Sequence, residues 1–239
     1  LPVILKKRQK IYAYKTIEYI KDFGTMERIK IIKNDIKSKK IKNLNFFQKT
    51  KAIFLDRDGV INQENFKKKN YKNFKILPNV RESIKRLNKN KIPCFIVSNQ
   101  SGLVKGDLNL SDLLKIISKL DSYLSKNKSY IDDFLFCPHF NGSKYKNTNF
   151  SFFSNFRKPN PGMILTLANK YRIDLKKSYF VGDTDIDVLS GKRAGLKTIL
   201  VEGPKIKDYK INVKPNFIVK NLSSAVDLVL RKKLWKILW

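Results

Sequence analysis

The fold is decided by the stretch Lys51-Ala-Ile-Phe-Leu-Asp-Arg-Asp-Gly-Val-Ile61. Its apolar run over residues 52–55 shows no polar alternation, which is typical of a strand buried on both faces of a parallel sheet. Two carboxylates and a glycine follow this run directly. Because ligands bind at the carboxyl ends of strands in such sheets, the stretch predicts both a central strand and the edge of the sheet that carries the chemistry.

Outward from this stretch, apolar runs and helical patterns alternate. Further strands are predicted over residues 92–97, 134–136, 179–181, 198–201 and 217–219. Helices are predicted over residues 79–90 with Asn79 as the cap, over 111–126 with Ser111 as the cap, from Pro161, over 185–194 and from Ser223. The alternation predicts an α/β fold for residues 49–239, a Rossmann-like arrangement of three layers with one parallel sheet between helices.

Residues 1–48 have a different pattern, and we expect them to form a short N-terminal appendage with a linker. A strand is predicted over Lys10–Lys15, and Thr25 is expected to cap a helix that runs through Ile32. The chain does not begin with Met, so we expect it to start within a longer protein.

The composition separates classes of partner and compartment. Lysine and arginine number 51 against 20 acidic residues, a formal net charge of +31. A basic module that binds nucleic acid is therefore one interpretation, but the lysines are spread along the chain rather than gathered in one tract, so we do not expect a nucleic-acid partner. Two cysteines without framework spacing indicate a reducing cytoplasm. No stretch reaches the roughly 20 apolar residues of a membrane span, and we expect no membrane partner.

Polar residues that suit phosphate chemistry follow several of the predicted strands. They are, in chain order, Asp56, Asp58, Ser98, Asn99, Arg157, Lys158 and Asp183. A phosphate monoester is doubly anionic, so a carboxylate attacks its phosphorus only where a divalent cation and a fixed positive charge offset the repulsion. Mg2+ suits an oxygen-only site of this kind, because it keeps several waters and needs only one or two carboxylates.

Each of these groups has an expected role. Asp56 attacks phosphorus, while Asp58 protonates the leaving alcohol and later activates the water that releases phosphate. Lys158 balances the charge of the phosphoryl group, and hydroxyl and backbone N–H groups bind its oxygens. The residues expected to bind substrate and phosphate are Ser98, Asn99, Arg157 and Lys158.

The chain resembles phosphatases of the haloacid dehalogenase (HAD) superfamily, above all the histidinol-phosphate and heptose-bisphosphate branch. The resemblance covers residues 51–203 and rests on four elements that stand in the superfamily's order: Asp-Arg-Asp-Gly-Val-Ile, Ser-Asn-Gln-Ser-Gly, Arg-Lys-Pro-x-Pro-Gly and Val-Gly-Asp-x-x-x-Asp. It implies the HAD fold with a minimal cap and an aspartyl-phosphate intermediate. The segments 62–76 and 138–157 are then expected to contact the leaving group.

The same resemblance implies a set of metal ligands. Asp56, the backbone carbonyl of Asp58 and Asp183 are expected to hold Mg2+. Asp187 is a weaker candidate and is expected to support the ligands from outside.

One departure from the related phosphatases concerns zinc. Relatives combine a Cys-x-His with a later Cys-x-Cys as four zinc ligands. This chain keeps Cys137 and His139, but Ser154 and Phe156 occupy the other two positions. Because structural zinc needs four ligands, we expect no zinc here. Apolar packing is expected to replace it through Phe150, Phe152, Phe153 and Phe156.

A second and shorter resemblance lies at residues 19–29. It is similar to the end of the catalytic domain of sugar nucleotidyltransferases, where the aspartate at the position of Asp22 helps to bind metal. This implies fusion to such a domain upstream. A heptose-bisphosphate phosphatase makes the sugar 1-phosphate that a nucleotidyltransferase consumes, so the pairing favours D-glycero-D-manno-heptose 1,7-bisphosphate, a small phosphorylated sugar, as substrate. The alternatives are histidinol phosphate and a polynucleotide 3′-phosphate.

Overall fold

The computed structural model describes residues 19–38, 49–63, 74–126, 128–140, 154–203 and 213–231, and the chain divides into two compact units after Gln48. In the first unit, helix α1 spans Met26–Lys37, and the Thr25 side chain accepts a hydrogen bond from the backbone N–H of Arg28. The prediction that Thr25 caps this helix is confirmed. The strand predicted over Lys10–Lys15 lies outside the described residues.

The second unit contains a sheet of six parallel strands. Its order is β3-β2-β1-β4-β5-β6. The strands are β1 (Ile53–Leu55), β2 (Cys94–Asn99), β3 (Asp133–Cys137), β4 (Tyr179–Gly182), β5 (Lys197–Val201) and β6 (Phe217–Val219). The α/β prediction with one parallel sheet is confirmed, and the stretch that begins at Lys51 supplies a central strand.

Helices connect the strands and cover both faces of the sheet. They are α2 (Val80–Lys89), α3 (Gly102–Lys105), α4 (Leu110–Ser125), α5 (Gly162–Lys170), α6 (Asp185–Arg193) and α7 (Leu222–Leu230), with a 3-10 turn at Leu175–Lys177. None of the helices in the described part of the chain is long and apolar enough to cross a membrane.

The two faces of the central strands build separate layers of core, because side chains alternate along a strand. Leu55, Ile96 and Val181 pack into one cluster with residues of α2, α4 and α7. On the other face, the rings of Phe54 and Phe95 lie with their centroids 5.2 Å apart. Each fully buried phenylalanine contributes roughly 1.5–3 kcal/mol, so this sheet is held firmly under the site that it carries.

Of two further predicted helix caps, Ser111 is wrong, whereas Asn79 does occupy the cap position of its helix. The Asn109 side chain accepts from the N–H of Asp112 and starts α4 at Leu110, so Ser111 is helical rather than the cap. The Asn79 side chain makes no capping bond, because its backbone is left-handed with φ 61°. Only at the start of α4 does a different polar residue from the predicted one cap the helix.

Candidate active site

Asp56 lies at the centre of a buried cluster at the carboxyl edge of the sheet. It follows β1 directly, and its backbone N–H donates to the carbonyl of Val181 in β4 at 2.9 Å. The ammonium of Lys158 donates to Asp56 Oδ1 at 2.7 Å and to Asp187 Oδ1 at 2.7 Å. Residues from two strand ends and from a later loop therefore meet at one point, as parallel topology requires.

This cluster has an excess of negative charge. Carboxylate oxygens of Asp56, Asp183 and Asp187 lie within 4.8 Å of one another, and all three residues are buried. Burial raises the pKa of Asp56 to about 7, and although Lys158 opposes the rise, the charges of Asp187 and Asp58 add to it. Three carboxylates thus face one ammonium, and the atoms that could bind a metal ion are all oxygens. A divalent cation such as Mg2+ fits both the excess of negative charge and the oxygen ligands.

Gly59 brings the turn after β1 against Asp183. Its φ is 84°, a left-handed value that favours glycine. A Cβ atom at this position would lie 2.0 Å from Asp183 Oδ2, which no side chain tolerates. The glycine therefore leaves space for the carboxylate beside Asp56.

Asp58 lies in a different environment, although it is only two residues further along. The Nη2 group of Arg57 donates to Asp58 Oδ1 at 2.9 Å and to Oδ2 at 2.7 Å. Asn62 Nδ2 donates to Oδ1 at 2.8 Å, and Gln100 Nε2 donates to Oδ2 at 3.3 Å. The carboxylate of Asp58 is therefore held on several sides by donors.

Lys158 is fixed in position through both its ends. Its backbone N–H donates to Asn99 Oδ1 at 3.0 Å, and its carbonyl accepts from Asn99 Nδ2 at 3.0 Å. Burial lowers the pKa of the ammonium, but Asp187 and Asp56 outweigh this effect and raise it above its ordinary value. Lys158 therefore stays charged at neutral pH.

Asp187 supports Lys158 rather than standing free. Its Oδ2 accepts from the Thr184 hydroxyl at 2.6 Å and from the Thr184 N–H at 3.1 Å, which completes a capping box at the start of α6. The helix start thus orients one oxygen, and the other points to the ammonium. Asp187 belongs to the acidic cluster, where sequence reasoning gave it only a supporting place.

The side chains of two predicted substrate-binding residues make hydrogen bonds within the protein. Asn99 Nδ2 and Oδ1 each make one hydrogen bond to the Lys158 backbone, which holds this amide beside the lysine. The guanidinium of Arg157 donates to the carbonyl of His139 at 2.9 Å and lies 4.9 Å from the ring centroid of Phe140. Ser98 is buried at the end of β2 and accepts from Gln100 Nε2 at 2.7 Å.

The residues at the positions of the zinc ligands of the related phosphatases form a small polar cluster. Cys137 Sγ lies 3.5 Å from His139 Nδ1 and 3.9 Å from Ser154 Oγ, and the N–H of Phe156 donates to that hydroxyl at 3.2 Å. Burial raises the pKa of the Cys137 thiol, whereas zinc binds thiolate. The packing prediction is wrong for Phe156, whose side chain is 44% exposed; Phe150, Phe152 and Phe153 lie outside the described residues.

Sequence reasoning missed three residues of the site: Arg57, Asn62 and Gln100. Arg57 and Gln100 both lie within motifs that had been singled out, yet neither was given a role. Their residue types and their positions could have predicted a role in the site, because a charged or amide side chain that directly follows a buried strand needs hydrogen-bond partners. Arg57 is 2% exposed and Gln100 is fully buried.

The class of protein follows from the sheet and the site together. The sheet has six parallel strands, an Asp-x-Asp turn follows its first strand, and a buried lysine lies beside that turn. This combination is typical of a phosphoric monoester hydrolase of the HAD superfamily. Residues 155–225 match the HAD-hydrolase-like family. A solved structure with TM-score 0.67 and 28% sequence identity covers 76% of this chain and 98% of its own. It is a D,D-heptose 1,7-bisphosphate phosphatase from B. bronchiseptica, complexed with magnesium and phosphate.

Curated relatives narrow the class. The D-glycero-beta-D-manno-heptose-1,7-bisphosphate 7-phosphatase of Rhodopseudomonas palustris is 34% identical over 155 residues, which cover 65% of this chain and 85% of the relative. The D-glycero-alpha-D-manno-heptose-1,7-bisphosphate 7-phosphatase of Campylobacter jejuni is 33% identical over 162 residues, 67% of this chain and 87% of the relative. The chain belongs to this family of heptose-bisphosphate phosphatases.

Proposed function

We propose that this protein removes the 7-phosphate of D-glycero-D-manno-heptose 1,7-bisphosphate with the help of Mg2+. The observation that carries the proposal is the buried cluster of Asp56, Asp183, Asp187 and Lys158, which combines a nucleophile, a cation site and a fixed positive charge. The names of the relatives support the substrate.

In the proposed mechanism, Asp56 attacks phosphorus and the bond from phosphorus to the C7 oxygen breaks. Protonated Asp58 gives its proton to the departing alkoxide, so a neutral alcohol leaves and Asp56 carries an acyl phosphate. Asp58, now a carboxylate, takes a proton from a water that attacks the same phosphorus. The bond between Asp56 and phosphorus breaks, and both carboxyl groups return to their starting states.

The remaining groups hold the phosphoryl oxygens and the cation. Lys158 and the hydroxyl of Ser98 bind the phosphoryl oxygens, with the backbone N–H of Asn99 as a further donor. Mg2+ would be held by Asp56, the carbonyl of Asp58 and Asp183, and when bound it neutralises charge on phosphate and nucleophile. Asp187 keeps the ammonium of Lys158 in line.

Arg157 is proposed to contact the part of the substrate that lies outside the phosphoryl pocket. Its guanidinium is oriented by the carbonyl of His139 and the ring of Phe140, both next to the loop that carries Lys158. A planar guanidinium suits a second phosphate, so Arg157 favours a bisphosphate over a monophosphate.

A panel of phosphorylated substrates tests the proposal. Heptose 1,7-bisphosphate is expected to give the highest kcat/KM, with cleavage at C7 for at least one anomer. Histidinol phosphate and a 3′-phosphorylated oligonucleotide are the alternatives in the same panel. A tenfold preference for either, about 1.4 kcal/mol in transition-state binding, would replace the proposed substrate, and salt-sensitive DNA binding without turnover would indicate a nucleic-acid module.

We also propose that the Cys137 loop holds no structural zinc and that the protein works in the cytoplasm. Two thiol-or-imidazole donors are present in the loop, the serine hydroxyl is a poor ligand, and Phe156 offers none. Cys94 and Cys137 are both free thiols, which suits a reducing compartment.

Residues 1–48 are proposed to be the C-terminal piece of a nucleotidyltransferase-like domain together with a linker. Asp22 accepts from the N–H of Gly24 at 2.7 Å and pairs with Arg28, and Thr25 caps the helix that follows. The motif thus forms a closed turn at a helix start. Identification of a Gly-rich nucleotide-binding segment upstream in the gene would test this proposal.

A further inference from the structure

Gln100 is completely buried beside the proposed acid/base and is used by none of the steps above. Its side-chain amide has contacts at both ends. Nε2 donates to Ser98 Oγ at 2.7 Å and to Asp58 Oδ2 at 3.3 Å, while Oε1 accepts from Arg57 Nη2 at 3.3 Å. One amide therefore touches the phosphate-binding hydroxyl, the acid/base and the arginine that pairs with it.

The orientation of this amide follows from its neighbours. Arg57 is a donor only, so it must face the amide oxygen, and the carboxylate of Asp58 must face the amide nitrogen. Rotating the amide by 180° would oppose donor to donor and acceptor to acceptor. The network therefore fixes which end of Gln100 meets Asp58.

The backbone holds the amide as firmly as the side-chain contacts do. The N–H of Gln100 donates to the carbonyl of Cys137 in β3 at 2.8 Å, and its carbonyl accepts from the N–H of Leu103 in α3 at 3.1 Å. Gln100 thus joins the end of β2 to β3 and to the short helix α3. A side chain with such an anchor holds its partners within a narrow range of positions.

The hydroxyl of Ser98 accepts one of these hydrogen bonds. Because Gln100 donates to the Ser98 oxygen, the hydroxyl hydrogen of Ser98 is released to donate to another acceptor. A phosphoryl oxygen is the acceptor that the proposed function places there. Gln100 therefore joins the hydroxyl that is proposed to bind phosphate to the carboxylate that is proposed to act on the leaving group.

We propose that Gln100 is a positioning residue that sets the distance between the acid/base Asp58 and the phosphoryl group held at Ser98. This inference rests on the role of Asp58 in the proposed function. Arg57 contacts both Gln100 and Asp58, and its buried charge balances the carboxylate. Loss of Gln100 leaves Asp58 paired with Arg57 but no longer aligned with the leaving oxygen.

The test compares two leaving groups in the first turnover at saturating substrate. The C7 alkoxide of heptose 1,7-bisphosphate needs a proton as it departs, whereas the nitrophenolate of p-nitrophenyl phosphate needs little. Gln100→Met keeps the volume of the side chain and removes its hydrogen bonds. We expect the first turnover of the heptose bisphosphate to slow about 10-fold or more, and that of the aryl ester to change less than about 3-fold, because general acid catalysis contributes roughly 10²–10⁴-fold.

Later turnovers of the aryl ester provide a second signature. Release of phosphate from Asp56 needs Asp58 as a base whatever the first leaving group was. Gln100→Met is therefore expected to give a normal burst of nitrophenolate followed by slow steady turnover. A normal burst also shows that the variant is folded with an intact nucleophile, and a purely structural defect would reduce both phases together.

Asp58→Asn in the same assay separates failure of this inference from failure of the proposed function. Selective loss of the alcohol substrate in Asp58→Asn but equal loss of both substrates, or of neither, in Gln100→Met overturns the positioning role alone. If Asp58→Asn shows no dependence on the leaving group, the acid/base assignment and the positioning role are both wrong. Gln100→Glu is a second variant, which keeps the acceptor for Arg57, loses the donor to Asp58, and is expected to show the same selective loss.

Discussion

Asp56 and Asp58 lie two residues apart on one turn, yet their environments are opposite. Asp56 shares a buried cluster in which three carboxylates face one ammonium, and burial raises its pKa to about 7. Asp58 accepts hydrogen bonds from three side chains, among them a buried arginine. The excess of negative charge around Asp56 attracts a cation, and with that cation Asp56 can act as a nucleophile. The hydrogen-bond donors around Asp58 instead hold its carboxyl group in one orientation. One turn thus supplies two chemically distinct carboxyl groups.

The largest expected effect comes from removing the nucleophile. Asp56→Asn keeps the shape and cannot form an acyl phosphate, so we expect turnover to fall by a factor on the order of 10⁴ or more. Asp58→Asn should lose less, because general acid and base catalysis contribute roughly 10²–10⁴-fold. Steady-state rates of both variants, from preparations free of host phosphatase, check the order. A smaller loss at Asp56 than at Asp58 would reverse the comparison.

Removal of the cation tests directly whether the excess of negative charge around Asp56 needs a metal ion. Activity is expected to vanish in EDTA and to return with Mg2+, and Asp183→Ala should raise the Mg2+ concentration at half-maximal activity or abolish activity. The variant removes a carboxylate from the cluster around Asp56 and leaves the donors around Asp58 unchanged. Titration of activity with Mg2+ measures this midpoint. Turnover that resists EDTA would argue against an oxygen-ligated cation site.

Asp187 tests whether the cluster needs its third carboxylate. Asp187→Asn can keep the capping bonds to Thr184, but it removes the charge next to Lys158, and we expect activity or Mg2+ affinity to fall about 10–100-fold, as is usual for groups that support metal sites. Asp185→Asn is the matched control, because Asp185 lies on the same first turn of α6 and accepts a hydrogen bond from the N–H of Ile186. Equal effects in the two variants would remove Asp187 from the site.

The order of the carboxylates in the chain made part of this site predictable. The apolar run before Asp56 and the alternation of strands and helices predicted the sheet and its reactive edge, because burial on both faces leaves a clear pattern. The contact between Asp58 and Gln100 was not predicted, since it depends on how the end of β2 meets the end of β1. Side-chain pairing across strand ends has no period in the sequence, and the contact of Asn99 with the Lys158 backbone was not predicted for the same reason.

The smallest expected effect lies outside both carboxyl environments, at the Cys137 loop. Cys137→Ser should cost less than about 1 kcal/mol of unfolding free energy, because a hydroxyl can replace the weak thiol contacts and the net worth of one hydrogen bond is only about 1 kcal/mol. Chemical denaturation measures the change. Purified protein is expected to hold well under one equivalent of zinc. Elemental analysis that finds stoichiometric zinc after dialysis would contradict the proposal.

The pair of hydrogen bonds between the Asn99 side chain and the Lys158 backbone has a consequence for how this enzyme can diversify. These two bonds attach Lys158 to the end of β2. Insertions, deletions or foreign sequence between Phe140 and Ser154 therefore need not displace the ammonium. We expect sequence changes in that segment, natural or engineered, to alter substrate specificity without altering the chemistry of phosphate removal.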